Sequence, residues 1–558
     1  LCAPPIFTNS SLEEKKMKRL KSVKHWLIAA CILTTFVIQL GFPASVLAVK
    51  QGGILKIGLP FNPQKPGDPG SSMANGDQSI GGHIFNQLVD WEYDENAKVT
   101  RVNPSLATKW KKSANGKIWT FYLRKGVKFH DGSPFNAEAV KVNLDRLTIG
   151  KPKLTYGRDL RPILDRTEVV NSHTVKLYLK VPSPLLLAFL GQYAAGMVSP
   201  TALKKYPGKI ARHPIGTGPF KVKKWISGQS IELAANKNYW AGRPNLDGIL
   251  FRVVPDSSAR INMMTVGELD VIWSVPVQDH PRINKSKNFE VIVYPTAGIM
   301  RFYLDCGVGP TSEILVRQAM NYAIDKKTMV NEILQGVGQT ADSVVAPFTW
   351  GYYGASKATY NPEKAKQLLK KAGWVDKDGD GIREKNGKKL TLSLMTTPPD
   401  RYLMGGEIVL ALQEYMRAVG FDFKIQFMEF GAWIGKLYRT FDTTEGNVFF
   451  FDYSSRTDAM FILNTMQSGR WYPNKKSTIF WKNDEYDRLY KLAAVEVDDN
   501  KRLQQYKRMQ EILADEQPMI DLYILSQTVA KKKNVHGLSL VPIPTHKVFM
   551  HASKAWID

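Results

Sequence analysis

The chain of 558 residues is 44% apolar and 23% charged, which places it among folded proteins with more than one domain and excludes a disordered chain. Lys and Arg total 76 against 51 Asp and Glu, a formal charge of +25; this suits an anionic partner without naming one. Three cysteines, Cys2, Cys31 and Cys306, are too few and too scattered for a disulfide framework or a zinc site.

In chain order, a basic run from Met17 passes into the apolar stretch Trp26 to Gly41 and then into the small residues around Ala48. That order predicts a secretory signal cleaved after Ala48, with residues 1–16 read as upstream sequence in frame. An uncleaved anchor is the alternative, but the apolar run is short of the ~20 residues a span needs and carries Thr34, Thr35 and Gln39. Ile28-Ala29-Ala30-Cys31 imitates the box before a lipidated cysteine, yet the apolar run continues past it. The mature chain is then expected to start at Val49, to keep Cys306 as its one thiol and to be soluble outside the cytoplasmic membrane.

Alternation predicts strands at 53–58, at 117–124 and over 169–179. Apolar residues at helical spacing predict helices at 136–147, 313–323, 362–372, 407–419 and 498–516. Lys531-Lys532-Lys533 reads as a solvated face rather than a nucleic-acid patch. The pattern is mixed α/β, with no fixed-period repeat.

Catalytic signatures are sought and fail. The sequence contains no Gly-x-Ser-x-Gly elbow and no His-Glu-x-x-His pair, and Gly431 to Leu437 ends in Leu where a phosphate loop needs a hydroxyl. His546 and His551 have no third ligand nearby. Asp376, Asp378, Asp380 and Glu384 have the alternate spacing that wraps calcium, but Gly387 holds the place of the closing bidentate glutamate. A solvated turn is the expectation, and no metal or cofactor is expected.

From Leu106 through Trp110, and from Lys117 through His130-Asp131-Gly132 to Val140, the sequence resembles the extracytoplasmic solute-binding proteins of peptide/nickel-type ABC importers. Further blocks follow in order: Gly216-Thr-Gly-Pro-Phe220, Asn238-Tyr-Trp240, Pro255-Asp256 with Arg260, Gly267-Glu-Leu-Asp270, Val316 to Asp325 and Leu368 to Trp374. The resemblance implies a two-lobed periplasmic-binding-protein-like α/β fold, with an extra domain in the first lobe and hinge segments between lobes. It further implies lobe 1 at 49–300 with the extra domain at about 95–205, lobe 2 at 301–530, and 531–558 returning to lobe 1. Hinge closure on a solute is the mechanism expected of such a fold.

The ligand side departs from the family. Where oligopeptide-binding relatives carry an aspartate for the peptide ammonium, the ungapped match places Ser455, and a hydroxyl cannot give a charge-assisted bond. A shifted register offers Asp452 and Tyr453 instead. Ser455-Arg456-Thr457-Asp458 is similar to a Ser-Gly-Arg-x-Asp variant, in which the fork of Arg456 suits a carboxylate; a loop-shaping ion pair with Asp458 or Asp452 is the alternative. Trp433, Trp273, Arg301 and Phe449 to Phe451 are weaker pocket candidates. The function expected is a monomeric, non-enzymatic binding subunit. It captures a small organic solute, a short peptide or amino-acid derivative, for an ABC permease with ATPase subunits, and has no nucleic-acid partner. A metal-chelate or haem binder is the alternative within the class, and a secreted peptide hydrolase or chaperone-like protein is the rival outside it.

Overall fold

The computed structural model describes residues 49–558 except 72–74, 95–98, 151–152, 357, 438–445, 455–456, 471–478 and 542–548. The leader, Ser455 and Arg456 lie outside the described residues. No helix among those described is long and apolar enough to cross a membrane.

The strand Ile54–Leu59 buries Leu55, Ile57 and Leu59 completely and pairs in parallel with Gly248–Val253 and Val271–Trp273. It belongs to a sheet that has 11 strands among the described residues. From one edge the order runs Asp422–Phe427, Thr391–Thr396, Gly446–Ser454, Phe289–Leu304, Met519–Lys532, Val271–Trp273, Ile54–Leu59, Gly248–Val253, Ser230–Ala235 and Phe220–Ile226, with Gln339–Thr340 paired to Met519–Lys532 off this path. Two of these strands are unusually long, Phe289–Leu304 with 16 residues and Met519–Lys532 with 14, against the five or six typical of globular proteins.

Their length lets them serve more than one core. The first core collects Leu55, Ile57, Phe85, Phe220, Phe251 and Trp273, with Ile292 and Tyr294 packed on it. The second collects Met300, Phe302, Leu304, Leu392, Leu394, Phe450 and Ile520 on one face of the sheet. Tyr303, Trp433, Phe449 and Met519 pack on the opposite face of that part of the sheet. Phe449 and Phe450 are both fully buried because helices cover both faces here, so the strand reads as an apolar run instead of an alternation.

A separate four-stranded antiparallel sheet, in the order Ala107–Lys112, Ile118–Leu123, Thr174–Leu179, Leu164–Asn171, packs its inner face on the helix Ala137–Thr148. Asn136 caps that helix through the N–H of Ala139, and Leu144 and Leu147 fill its buried stripe. The alternation read over 169–179 proves to be the end of one strand and the whole of the next. Asn171 accepts the N–H of His173 and turns the chain there, and pattern alone cannot see that turn.

The other predicted helices occur at Ile314–Ala323, Pro362–Lys371, Gly405–Arg417 and Asp499–Glu516. Gly373, just past Pro362–Lys371, has φ +88, the left-handed closure that glycine permits. Of the Lys531 to Lys533 triplet only Lys533 is exposed, donating to the Ser286 carbonyl, while Lys531 pairs with Glu290 and Lys532 with Asp270. Val535, Ala552 and Ala555 then enter the first core.

Candidate functional site

The two long strands pair in register from Phe289↔Lys532 to Pro295↔Ser526, and pairing resumes at Ile299↔Ile524. Four residue steps on one strand therefore face two on the other, a break in the ladder that bends the pair locally. Thr296 stitches it, donating its hydroxyl to Leu525 O at 3.0 Å and accepting the N–H of Gly298. A second shift follows between Met300 and Arg301. Ile292 and Tyr294 before the break pack on the first core, while Met300, Phe302 and Leu304 after it enter the second, so the break at Pro295 to Ile299 lies where the strands pass from one to the other.

Asp452 stands level with this break, its backbone paired with Met300, which is in turn paired with Tyr523. Its carboxylate accepts the Tyr402 hydroxyl at 3.0 Å. Burial, with the nearby Asp452 charge, pushes the Tyr402 and Tyr523 phenols above their usual range. The Tyr523 hydroxyl is buried without a hydrogen-bond partner among the described residues. Tyr453 follows on the strand and so points to the opposite face, where it packs beside Phe451 and Trp433. Sequence reasoning missed Tyr402 and Tyr523, which approach Asp452 only through long-range register. Nothing local in the sequence marks them.

The remaining candidates sit apart from this group. Arg301 is fully buried; its Nε lies 3.1 Å from Asp521 and its Nη2 donates to Val344 O. Asp458 is 6% exposed, accepts the Tyr506 hydroxyl at 2.8 Å and the Met460 N–H, and has Arg502 at 3.7 Å. Burial raises its pKa, partly offset by Arg502. Trp433 donates to Met395 O and meets Phe451 edge-on at 4.9 Å. Trp273 belongs to the first core, edge-on to Phe61, with its indole N–H unpartnered among the described residues.

The blocks that carry the family resemblance are joints of the scaffold. Gly216 and Gly218 let the chain press on residues 83–84, since a Cβ on Gly218 would lie 2.5 Å from the Ile84 carbonyl carbon. The His130 ring nitrogen bonds Gly218 O at 3.0 Å, and burial lowers its pKa to about 4, so it is neutral there at pH 7. Thr217, Tyr239 and Trp240 all bond the Asn86 amide. Arg260 donates to the carbonyls of Val254, Pro255, Trp273 and Ser274.

Carboxylate oxygens of Asp376, Asp378 and Glu384 lie within 4.8 Å of one another. Asp376 accepts the N–H groups of Gly379 and Gly381, and Glu384 accepts that of Lys377. Lys389 pairs with Asp378 and Asp380, so the loop's own donors hold its carboxylates in a turn.

Comparison with known proteins sets this geometry in a family. The family of bacterial extracellular solute-binding proteins, family 5 (middle region), matches residues 101–474. The glutathione-binding protein GsiB of Salmonella choleraesuis is 30% identical over 524 residues, covering 93% of this chain and 96% of that protein. The oligopeptide-binding protein AppA of Bacillus subtilis, solved with a nonapeptide, superposes with a TM-score of 0.68 at 26% identity, over 91% of this chain and 100% of AppA. NikA of Brucella suis, solved with Fe(III)-EDTA, shares the fold at a TM-score of 0.79 and 24% identity, over 90% of this chain and 100% of NikA. The fold is thus that of the two-lobed solute-binding proteins, and the chain belongs to the bacterial extracellular solute-binding proteins, family 5.

Proposed function

We propose that the chain is the solute-capturing subunit of an ABC importer, that it works in the periplasm after removal of residues 1–48, and that its solute is a short peptide or a related amino-acid derivative. The observation that carries this reading is the pair of long strands shared by both cores, whose pairing breaks between Pro295 and Ile299, where it passes from one core to the other. A hinge of that kind lets a solute held by both lobes favour the closed state, and differential contact is the whole driving force for closure. Two relatives are named for peptide ligands, glutathione for GsiB and a nonapeptide for AppA, which favours a peptide over a chelate.

In this reading residues 49–300 form lobe 1, with the extra domain at about 95–205, residues 301–530 form lobe 2, and 531–558 return to lobe 1. Asp452, oriented by Tyr402, meets the ligand ammonium, and Arg456 meets its carboxylate. The protein binds without turning its solute over and hands it to the permease. Mass spectrometry of solute retained through gentle purification, followed by calorimetric titration with short peptides and glutathione, tests this. A peptide that binds intact supports the reading; hydrolysis of it, or retention of a non-peptide solute with no affinity for peptides, overturns it.

A further inference from the structure

The four-stranded sheet buries one face and leaves the other to solvent. On the inner face Trp119, Phe121, Val175 and Leu177 are buried. On the outer face the register sets Lys109 beside Tyr122, Lys111 beside Thr120 and then Lys176, and Tyr178 beside Arg166. None of these outward residues is buried. The ammonium of Lys109 lies 5.0 Å from the Tyr122 ring centre and the guanidinium of Arg166 lies 3.7 Å from that of Tyr178. Glu168, beside Lys176 in the register, is the one acid in these rows, and Arg166 also touches Asp165 at 3.2 Å.

The surroundings repeat this bias. Residues 101–250 hold 26 Lys and Arg against 8 Asp and Glu, whereas residues 301–558 hold 35 against 30. Most of the net positive charge is therefore concentrated in the part of the chain that presents this face. A flat surface of cations interleaved with tyrosines matches the chemistry of an anionic lipid–water boundary. Lysine and arginine there are attracted by phosphate groups, and tyrosine rings sit at headgroup level with one apolar and one polar end.

We propose that the outer face of the sheet formed by residues 107–179 docks on the anionic phospholipid surface of a bilayer, holding the binding protein beside the membrane. The inference assigns a surface that solute capture does not use. It rests on the extracytoplasmic location proposed above only for its physiological setting, because the surface chemistry can be read in vitro.

The test is co-sedimentation of the protein beginning at Val49 with vesicles of phosphatidylglycerol and phosphatidylcholine mixed, against vesicles of phosphatidylcholine alone, at low and high salt. Binding to the mixed vesicles that is lost at high salt is expected, with little binding to the neutral ones. The triple variant Lys109→Glu, Lys111→Glu and Lys176→Glu should weaken binding at least tenfold, and the three Lys→Gln changes should weaken it less. Lys327→Glu, Lys377→Glu and Lys388→Glu, exposed on the other part of the chain, should leave it nearly unchanged. Solute affinity of the first triple variant should stay at the wild-type value, which keeps this surface separable from the solute site. Equal binding to both vesicle types, full binding by the first triple variant, or binding to polyglutamate without binding to vesicles would overturn the proposal, the last assigning the face to an acidic protein.

Discussion

Arg260, beside Trp273 of the first core, and Arg301, on the sheet face that carries Tyr303 and Met519, are both removed from solvent, 2% and 0% exposed, but they are neutralised differently. Arg260 gives its donors to four backbone carbonyls, whereas Arg301 faces the carboxylate of Asp521 and one carbonyl. The neighbourhoods follow suit. Around Arg260 the buried polar groups are joints between chain segments. Ionisable groups accumulate in this part of the chain: burial pulls Lys326 down to about 8 beside Asp342 and Asp521, and past the end of the Arg301 strand it pushes Asp305 up to about 7 and the Cys306 thiol up to about 12. The first region fixes a frame, while the second keeps charge whose balance depends on pH and on partners.

The largest effect should come from Arg260→Met, which strands four carbonyls and should cost about 3–5 kcal/mol, measured by denaturant unfolding. No second substitution can rescue it, because its partners are backbone. Arg301→Met should also destabilise, but adding Asp521→Leu should restore most of the loss, since removing both members of a buried pair leaves no uncompensated charge. Equal rescue of both arginines, or of neither, would erase the contrast between the regions.

A smaller effect is expected at the joint beside residues 83–84. Gly218→Ala forces a methyl against backbone that cannot move aside, at about 1–3 kcal/mol. Solute affinity at a temperature where the variant is folded should change little, as read by titration calorimetry.

The last effect is a gain that appears only as pH rises. Asp305 has a folded pKa raised from 3.8 to about 7, so its stability contribution is fully present below pH 3.8 and lost as pH rises through 7. Asp305→Asn keeps an acceptor for the Gly307 N–H and cannot ionise. Wild type and variant should melt together near pH 3.5 and diverge toward pH 8, where the variant is the more stable. A constant difference across that range would remove the buried charge from the account.

What the sequence made legible follows the same division. Glycine pairs, a capped helix and an arginine at fixed spacing carry scaffold joints within short segments, so the family, the mixed α/β fold and the main helices could be read directly. The irregular pairing at 295–301 could not, because a register break between strands more than two hundred residues apart leaves no local pattern. The same holds for Tyr402 and Tyr523 beside Asp452, and for Arg301 and Asp458. Asp458 read as a candidate through the segment that is similar to the family's Ser-Gly-Arg-x-Asp variant and Arg301 as a weaker pocket candidate, yet each has a partner within the protein, Asp521 for Arg301 and Tyr506 for Asp458. The lysine triplet at 531–533 misled for a related reason: its carboxylate partners Glu290 and Asp270 come from distant segments.

The central claim is that a peptide is held by closing the two lobes about the irregular segment of the long strands. Small-angle X-ray scattering of the chain beginning at Val49, before and after saturation with the peptide retained on purification, measures that closure directly. The account expects the radius of gyration to fall on saturation and to return when the peptide is removed, with the peptide recovered intact. An unchanged radius at full occupancy would contradict it.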